Sequence, residues 1–227
     1  MRLHVARAGE SGTPIVFLHG MGTSSASWSQ VMSLLSDRHL VLAPDLLGHG
    51  SSPVLDDPAE YTRDRALDDI DELLAEVLAT TGERCVLVGH SLGGYLALAH
   101  AATRPGVARG VVVLNTGPGF RDPDKREAWN ERSRRNAHRF GVPEVAANLN
   151  LQHDSVVMDR LAEMSEPTLV LVGDQDRPEY LGGGQVMERK MPHCRLVVVE
   201  GGGHSMHEDT HAAQVASLID DFVAGLD

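Results

Sequence analysis

The hydrophobic positions of this chain fall into two kinds of run. Six runs are short, rich in β-branched residues and unbroken by polar positions: 15–18, 40–43, 86–88, 110–114, 168–172 and 196–199. Runs without polar alternation fit strands covered on both faces, and so a parallel sheet with helices on each side. The intervening segments follow the helical period instead. Segment 62–80 repeats Ala66, Leu67, Ile70, Leu73, Leu74, Val77 and Leu78 with acids opposite, and Gly82 lies just past its end; this predicts an amphipathic surface helix. Segment 92–103 is alanine-rich and apolar on nearly every side, which predicts a helix buried against the sheet and stopped before Pro105. Segments 24–35 and 207–222 read as further helices. The alternation predicts the α/β class, with a mostly parallel, doubly wound sheet.

One stretch breaks this rhythm. From 116 to 166 charged helical sequence, DKREAWNERSRRNAHRF among it, stands where a single crossover belongs. It reads as a helical cap inserted into a single domain, 1–227, whose core segments are 1–115 and 167–227.

Composition narrows the function classes. The chain has 227 residues, of which 42% are hydrophobic and 23% charged, and carries a formal charge of −12. That field repels nucleic-acid phosphates and anionic lipid surfaces, so neither is an expected partner. No apolar stretch approaches a bilayer span, and the opening MRLHVARAGESG lacks a leader pattern, so the expected location is cytoplasmic. Cys85 and Cys194 each open an apolar run outside any metal spacing, and are expected as small buried residues rather than a disulfide. No metal and no organic cofactor is implied, because the histidine spacing shows no ligand pattern and no phosphate-cradling loop occurs.

The chemistry gathers at strand ends. Gly89-His90-Ser91-Leu92-Gly93 stands between a predicted strand and a predicted helix, the G-x-S-x-G arrangement of a nucleophilic serine on a sharp turn. Glycine flanks the serine because the turn leaves no room for Cβ atoms. An anion forming at Ser91 needs two N–H donors: Leu92, which opens the following helix, and Met21, in the His19-Gly20-Met21-Gly22 loop after an early strand. A serine also needs a base oriented by an acid, in the chain order Ser, Asp or Glu, His. His204, after Gly201-Gly202-Gly203 at a strand end, fits the base; His193, His207 and His211 read as solvated turn or helix residues. For the acid, Asp174 and Asp176 both follow the strand at 168–172. No acid occupies position 115, the end of the preceding strand.

Taken together, FLHGMG, APDLLGHGSSP, VGHSLGGYLAL, LVGDQDRP and EGGGHSMHE resemble the α/β-hydrolase superfamily over nearly the whole length, and its small esterase and C–C hydrolase branch most. The resemblance implies the α/β-hydrolase fold with a short cap after the sixth strand. It selects Asp176 as the acid beside Ser91 and His204, with Met21 and Leu92 as the oxyanion donors. Asp45, His49 and Ser51 match a segment that is structural in most members. His19, Gly20, His90, Phe120 and Trp129 are the candidate substrate contacts.

The expected activity is a serine hydrolase cleaving a small-molecule ester, thioester or lactone through an acyl-enzyme. The same residues also serve C–C bond hydrolases, lyases and perhydrolases, and a ligand-binding relative without turnover is a further class. A serine at 91 disfavours dehalogenase and epoxide hydrolase chemistry, which needs a carboxylate nucleophile. The basic run Lys125, Arg126, Arg132, Arg134, Arg135 and Arg139 reads as the solvated face of a cap helix with Trp129 and Phe140 turned inward; the other reading is attraction of an anionic thioester.

Overall fold

The computed structural model describes residues 2–208 and 210–226. Seven strands form one sheet: β1 (Val5–Ala8), β2 (Pro14–Leu18), β3 (Leu40–Pro44), β4 (Val86–His90), β5 (Gly110–Leu114), β6 (Thr168–Gly173) and β7 (Cys194–Val199). Their order is β1-β3-β2-β4-β5-β6-β7, with β1 antiparallel to β3 and every other pair parallel. The six unbroken apolar runs are β2 to β7. The VARA of β1 escaped the reading because it is four residues long, half-exposed and paired on one side only.

Alternation along each strand feeds two cores. Ile15 and Phe17 of β2, Val86 and Val88 of β4 and Leu169 and Leu171 of β6 pack with α1 (Ser29–Leu35) and α7 (Ala212–Ala224). Val16, Leu18, Leu87, Val111, Val113, Val170 and Val172 face α2 (Arg63–Thr81), α3 (Leu92–Thr103) and α6 (Pro178–Lys190). The α2 helix starts where the Thr62 hydroxyl accepts the Arg65 N–H and stops at Gly82, whose φ of 75° ends the helical path. In α3 every residue from Leu92 to Ala102 is buried, as its composition predicts.

The cap holds α4 (Pro123–Asn136), a 3₁₀ segment at Glu144–Asn150 and α5 (Val156–Arg160). It leaves the sheet after β5, the fifth strand and not the sixth, because a single strand precedes β2 among the described residues. Asp122 caps α4 by accepting from Asp124 and Lys125 N–H, and Pro123 fills the first helical position, where no N–H is needed. The cap is tied to the core by Arg63 of α2, whose guanidinium grips Asp154 through two bonds of 2.7 and 2.9 Å. The bond to Arg63 holds the Asp154 carboxyl below the usual range. Cys85 is buried, Cys194 half-buried, and both are free; burial pushes each thiol up to about 12. No helix among the described residues is long and apolar enough to cross a membrane.

Candidate active site

Strand β4 runs into α3 with Ser91 alone between them, at φ 49° and ψ −111°. L-residues rarely hold that conformation, and here both flanks impose it. The Ser91 N–H donates to the Leu114 carbonyl at the end of β5 (2.9 Å), and the Gly93 N–H donates to the His19 carbonyl at the end of β2 (3.1 Å). A Cβ on Gly89 would collide with the Gly93 carbonyl, and one on Gly93 with the Leu18 carbonyl. The Leu92 N–H, first in α3, lies outside the reach of intrahelical acceptors and marks the positive end of the helix.

The loop after β2 turns back over this corner. Thr23 closes the turn with its N–H and hydroxyl on the Gly20 carbonyl (3.2 and 2.9 Å), and Gly22 takes φ 77°. A Cβ on Gly20 would stand 2.8 Å from His90 Nδ1 and 3.5 Å from Ser91 Cβ, so only glycine lets the Met21 turn lie against the serine.

His204 lies 3.2 Å from Ser91 Oγ through Nε2 and 2.7 Å from Asp176 Oδ2 through Nδ1. With Nδ1–H donated to the carboxylate, Nε2 is left to accept the serine hydroxyl proton. The Asp176 carboxylate is 4% exposed and the His204 side chain 42%. The other oxygen of Asp176 accepts the Arg177 N–H at 2.7 Å. Asp174, the rival acid, points elsewhere: its Oδ1 accepts the Gly201 N–H at 2.8 Å and so pins the glycine loop.

Behind the array stands a buried residue whose role the sequence reading missed. Asn115 immediately follows β5, at φ 48°; its Oδ1 accepts the Gly173 N–H (2.9 Å), and its Nδ2 donates to the Gly203 (2.9 Å) and His204 (2.8 Å) carbonyls. One side chain thus ties the strand end before Asp176 to the loop of His204. In the sequence its only mark was the lack of an acid.

Two expected substrate contacts are structural instead. His19 is fully buried, with Nε2 accepting the Leu46 N–H (2.9 Å) and Nδ1 donating to the Gly20 carbonyl (2.8 Å). Burial, followed by the nearby His49 ring, lowers its pKa to about 4. His90 is buried too, and donates from Nε2 to the His204 carbonyl at 2.8 Å; burial holds it well below its ordinary value. His207, expected in solvent, is buried between the rings of Trp28 (4.2 Å) and His90 (4.4 Å), whereas His193 is exposed. Asp45 is structural as expected: burial works to raise its pKa, and the bonds from Ser51 and Ser25 N–H outweigh that.

Ser91 opens into a cleft of about 570 Å³, with Leu92, Phe120 and Trp129 among its walls. The structure adds residues the reading did not place there: Tyr180, whose ring stacks on His204 at 5.3 Å, and Lys125, Arg132 and Arg177. Lys125, Ala128, Trp129 and Arg132 share the spacing of one helical face, so this part of the basic run faces the cleft. Tyr180 follows Pro178 in a segment without motif, and only the fold brings it to His204.

A family model described as the alpha/beta hydrolase family matches residues 15–218. The chain belongs to this family. Among members of known name it is 32% identical over 178 residues to the 2-succinyl-6-hydroxy-2,4-cyclohexadiene-1-carboxylate synthase of Enterobacter sp. (strain 638), covering 78% of this chain and 66% of that enzyme. Across the first three relatives it matches, the third an uncharacterized protein of Mycobacterium bovis, the aligned stretch spans 66%, 38% and 31% of the relative's own length. A pimeloyl-[acyl-carrier protein] methyl ester esterase of Aeromonas hydrophila is 25% identical over 98% of this chain and 100% of its own. Among solved structures, MenH from S. aureus superposes with a TM-score of 0.84 at 18% identity, over 99% and 98% of the two chains. The chain therefore has the alpha/beta hydrolase fold.

Proposed function

We propose that the chain is a serine hydrolase that cleaves a small-molecule carboxylic ester, thioester or lactone. The observation that carries this reading is the bonded series Asp176–His204–Ser91, with the serine open to the cleft. Ser91 Oγ attacks the carbonyl carbon while His204 Nε2 takes its proton. The tetrahedral oxyanion accepts from the Met21 and Leu92 N–H groups, a donor pair of which each member is worth about 3 kcal/mol in barrier height. His204 then gives its proton to the leaving oxygen or sulfur, the acyl-enzyme forms, and water attacks it by the same steps reversed. Asp176 keeps the imidazole in the tautomer that leaves Nε2 free to accept. The named esterase that this chain matches from end to end supports the acyl-transfer reading.

The likeness to the Enterobacter synthase favours a second reading, a lyase in which His204 takes a proton through Ser91 without an acyl-enzyme. One assay separates the two. Stopped-flow release of nitrophenol from 4-nitrophenyl esters of graded chain length is expected to show a burst equal to the enzyme concentration, and a fluorophosphonate is expected to label Ser91. Failure of esters, thioesters and lactones alike to turn over would overturn the hydrolase reading, and labelling without any turnover would favour the lyase.

A further inference from the structure

The cleft wall is positive in a chain whose net charge is −12. Lys125 and Arg132 come from α4, and Arg177, next to Asp176, is the residue before α6; all three are solvent-exposed. One carboxylate, Glu179, lines the same cleft. Among the described residues none of the three cations has a carboxylate within 4 Å, whereas their cap neighbours Arg121 and Arg134 are paired with Asp159 and Glu127 at 2.8 Å each. Arg132 is nevertheless held in place. Its guanidinium lies 4.9 Å from the centre of the Trp129 ring, and that indole donates to the Asn150 carbonyl at 2.9 Å. Arg132 and Arg177 line the same cleft as Tyr180. The ring of that tyrosine stacks on His204. Phe120, Met158 and Val186 supply apolar wall for an acyl chain.

We propose that this cleft selects acyl substrates that carry a negative group, a carboxylate or a phosphate, bound between Arg132 and Arg177 with Lys125 beside them. The proposal rests on the reading of Ser91 as the nucleophile only for its catalytic half; the anion site stands on the unpaired cations. A guanidinium already seated against an aromatic ring loses little freedom on meeting an anion, and its planar fork suits two oxygens at once. The anion can sit on the acyl chain or on the leaving group, and the two sources are separable by substrate choice.

The test compares matched substrates at low ionic strength. Mono-4-nitrophenyl adipate against 4-nitrophenyl hexanoate places the charge on the acyl side; butyryl-CoA against butyryl-N-acetylcysteamine places it on the leaving side. In at least one pair the anionic member is expected to win in kcat/KM by tenfold or more, mainly through KM. That ratio is expected to collapse toward one in Arg132→Gln/Arg177→Gln, and in 0.5 M salt, on the order of a few times the ionic strength at which exposed charges are already screened. Arg135→Gln, which removes the same charge from an exposed cap position outside the cleft, is expected to leave the ratio alone. A ratio near one in both pairs for the unmodified protein would overturn the proposal, as would a ratio that survives the double substitution or falls equally in Arg135→Gln. Calorimetric binding of adipate and of CoA to the Ser91→Ala protein keeps the two readings apart. Binding that needs Arg132 and Arg177, without turnover of any ester, would uphold the anion site and sink the hydrolase reading; turnover of neutral esters with no anion binding would do the reverse.

Discussion

Asn115→Gly probes the joint between the acid loop and the base loop. Glycine adopts φ 48° without strain, so the substitution removes the amide while leaving the backbone path permitted. Three hydrogen bonds vanish: from the Gly173 N–H, and to the Gly203 and His204 carbonyls. The His204 carbonyl keeps His90 Nε2 as a second donor, so two backbone groups lose their partner, the buried Gly173 N–H and the part-buried Gly203 carbonyl. At about 1 to 3 kcal/mol for each, less about 1 kcal/mol of relieved backbone strain, the net loss is about 1 to 5 kcal/mol. A chain of this length loses about 2 to 4 °C of Tm per kcal/mol, so the melt should fall by roughly 2 to 20 °C. Asn115 does not line the cleft, and KM for a nitrophenyl ester should stay within about threefold. The turnover number should drop on the order of 10 to 100-fold, because displacing a reacting group by about 1 Å costs that much. Thermal melts and steady-state kinetics on the same preparation decide it. A lowered Tm with unchanged kcat would show that Asn115 braces the fold and not the array; an unchanged Tm would refute the hydrogen-bond reasoning itself.

Other expectations follow from the same geometry. Asp176→Asn should lower kcat by up to about ten-thousandfold through the wrong histidine tautomer, while Asp174→Asn, which keeps an oxygen for the Gly201 N–H, should stay within about threefold; the reverse order on one ester would move the acid to position 174. Ser91→Gly should melt above Ser91→Ala by a few degrees, since glycine relieves about 1 kcal/mol of strain at φ 49° that alanine retains, and both should be inactive; equal melts would mean the elbow stores no strain. Gly182 lies in α6 beside the cleft with nothing within 4 Å of an added Cβ, so Gly182→Ala should stabilise by about 0.5 to 1 kcal/mol and Gly182→Phe should cut activity on long acyl chains before short ones; uniform loss across chain lengths would refute the assignment of that wall. Acid should destabilise through His19: its folded pKa of about 4 lies below the ordinary 6.5, so its contribution is whole above 6.5 and is lost as pH falls from 6.5 to 4, by about 3 kcal/mol, because a proton on Nε2 would displace the Leu46 N–H; denaturant midpoints that hold steady across that window would contradict this.

Local chemistry explains what could be read in the sequence. Strands β2 to β6 were legible because burial on both faces demands unbroken apolar runs, the half-exposed edge strand β7 because of its β-branched run, and the elbow because steric exclusion at Gly89 and Gly93 leaves a spacing that survives without the fold. The acid was ambiguous for a related reason: Asp174 and Asp176 both sit at a strand end, and only the path of the turn sends one to His204 and the other to Gly201. His19 and His90 were misassigned because a histidine beside a nucleophile looks the same in sequence whether its ring meets a ligand or a backbone carbonyl. The basic run is solvent-exposed as read, with Lys125, Arg132, Arg134, Arg135 and Arg139 all exposed, but α4 is charged on nearly every side and its pattern does not say which cations also line the cleft; the bonds from Trp129 to Asn150 and between Asn130 and Gln152 orient the helix.

Among the described residues Ser91 and Asn115 are the only non-glycine positions with positive φ, and each immediately follows one of the adjacent strands β4 and β5. Each such residue costs about 1 to 3 kcal/mol, so strain is concentrated at the site and absent from the rest of the sheet. Their constraints are linked, since the Ser91 N–H is held by Leu114, the residue before Asn115, while Asn115 holds the carbonyl of His204, the residue Ser91 faces. Loosening either strand end therefore moves both the nucleophile and the base. Glycine at both positions would remove the strain, but it would also remove the nucleophilic hydroxyl and the amide that braces His204. Stability and arrangement of the site are thus opposed at Ser91, where the sequence keeps the costlier side chain, whereas at Asn115 the hydrogen bonds of the amide outweigh the strain and serve both.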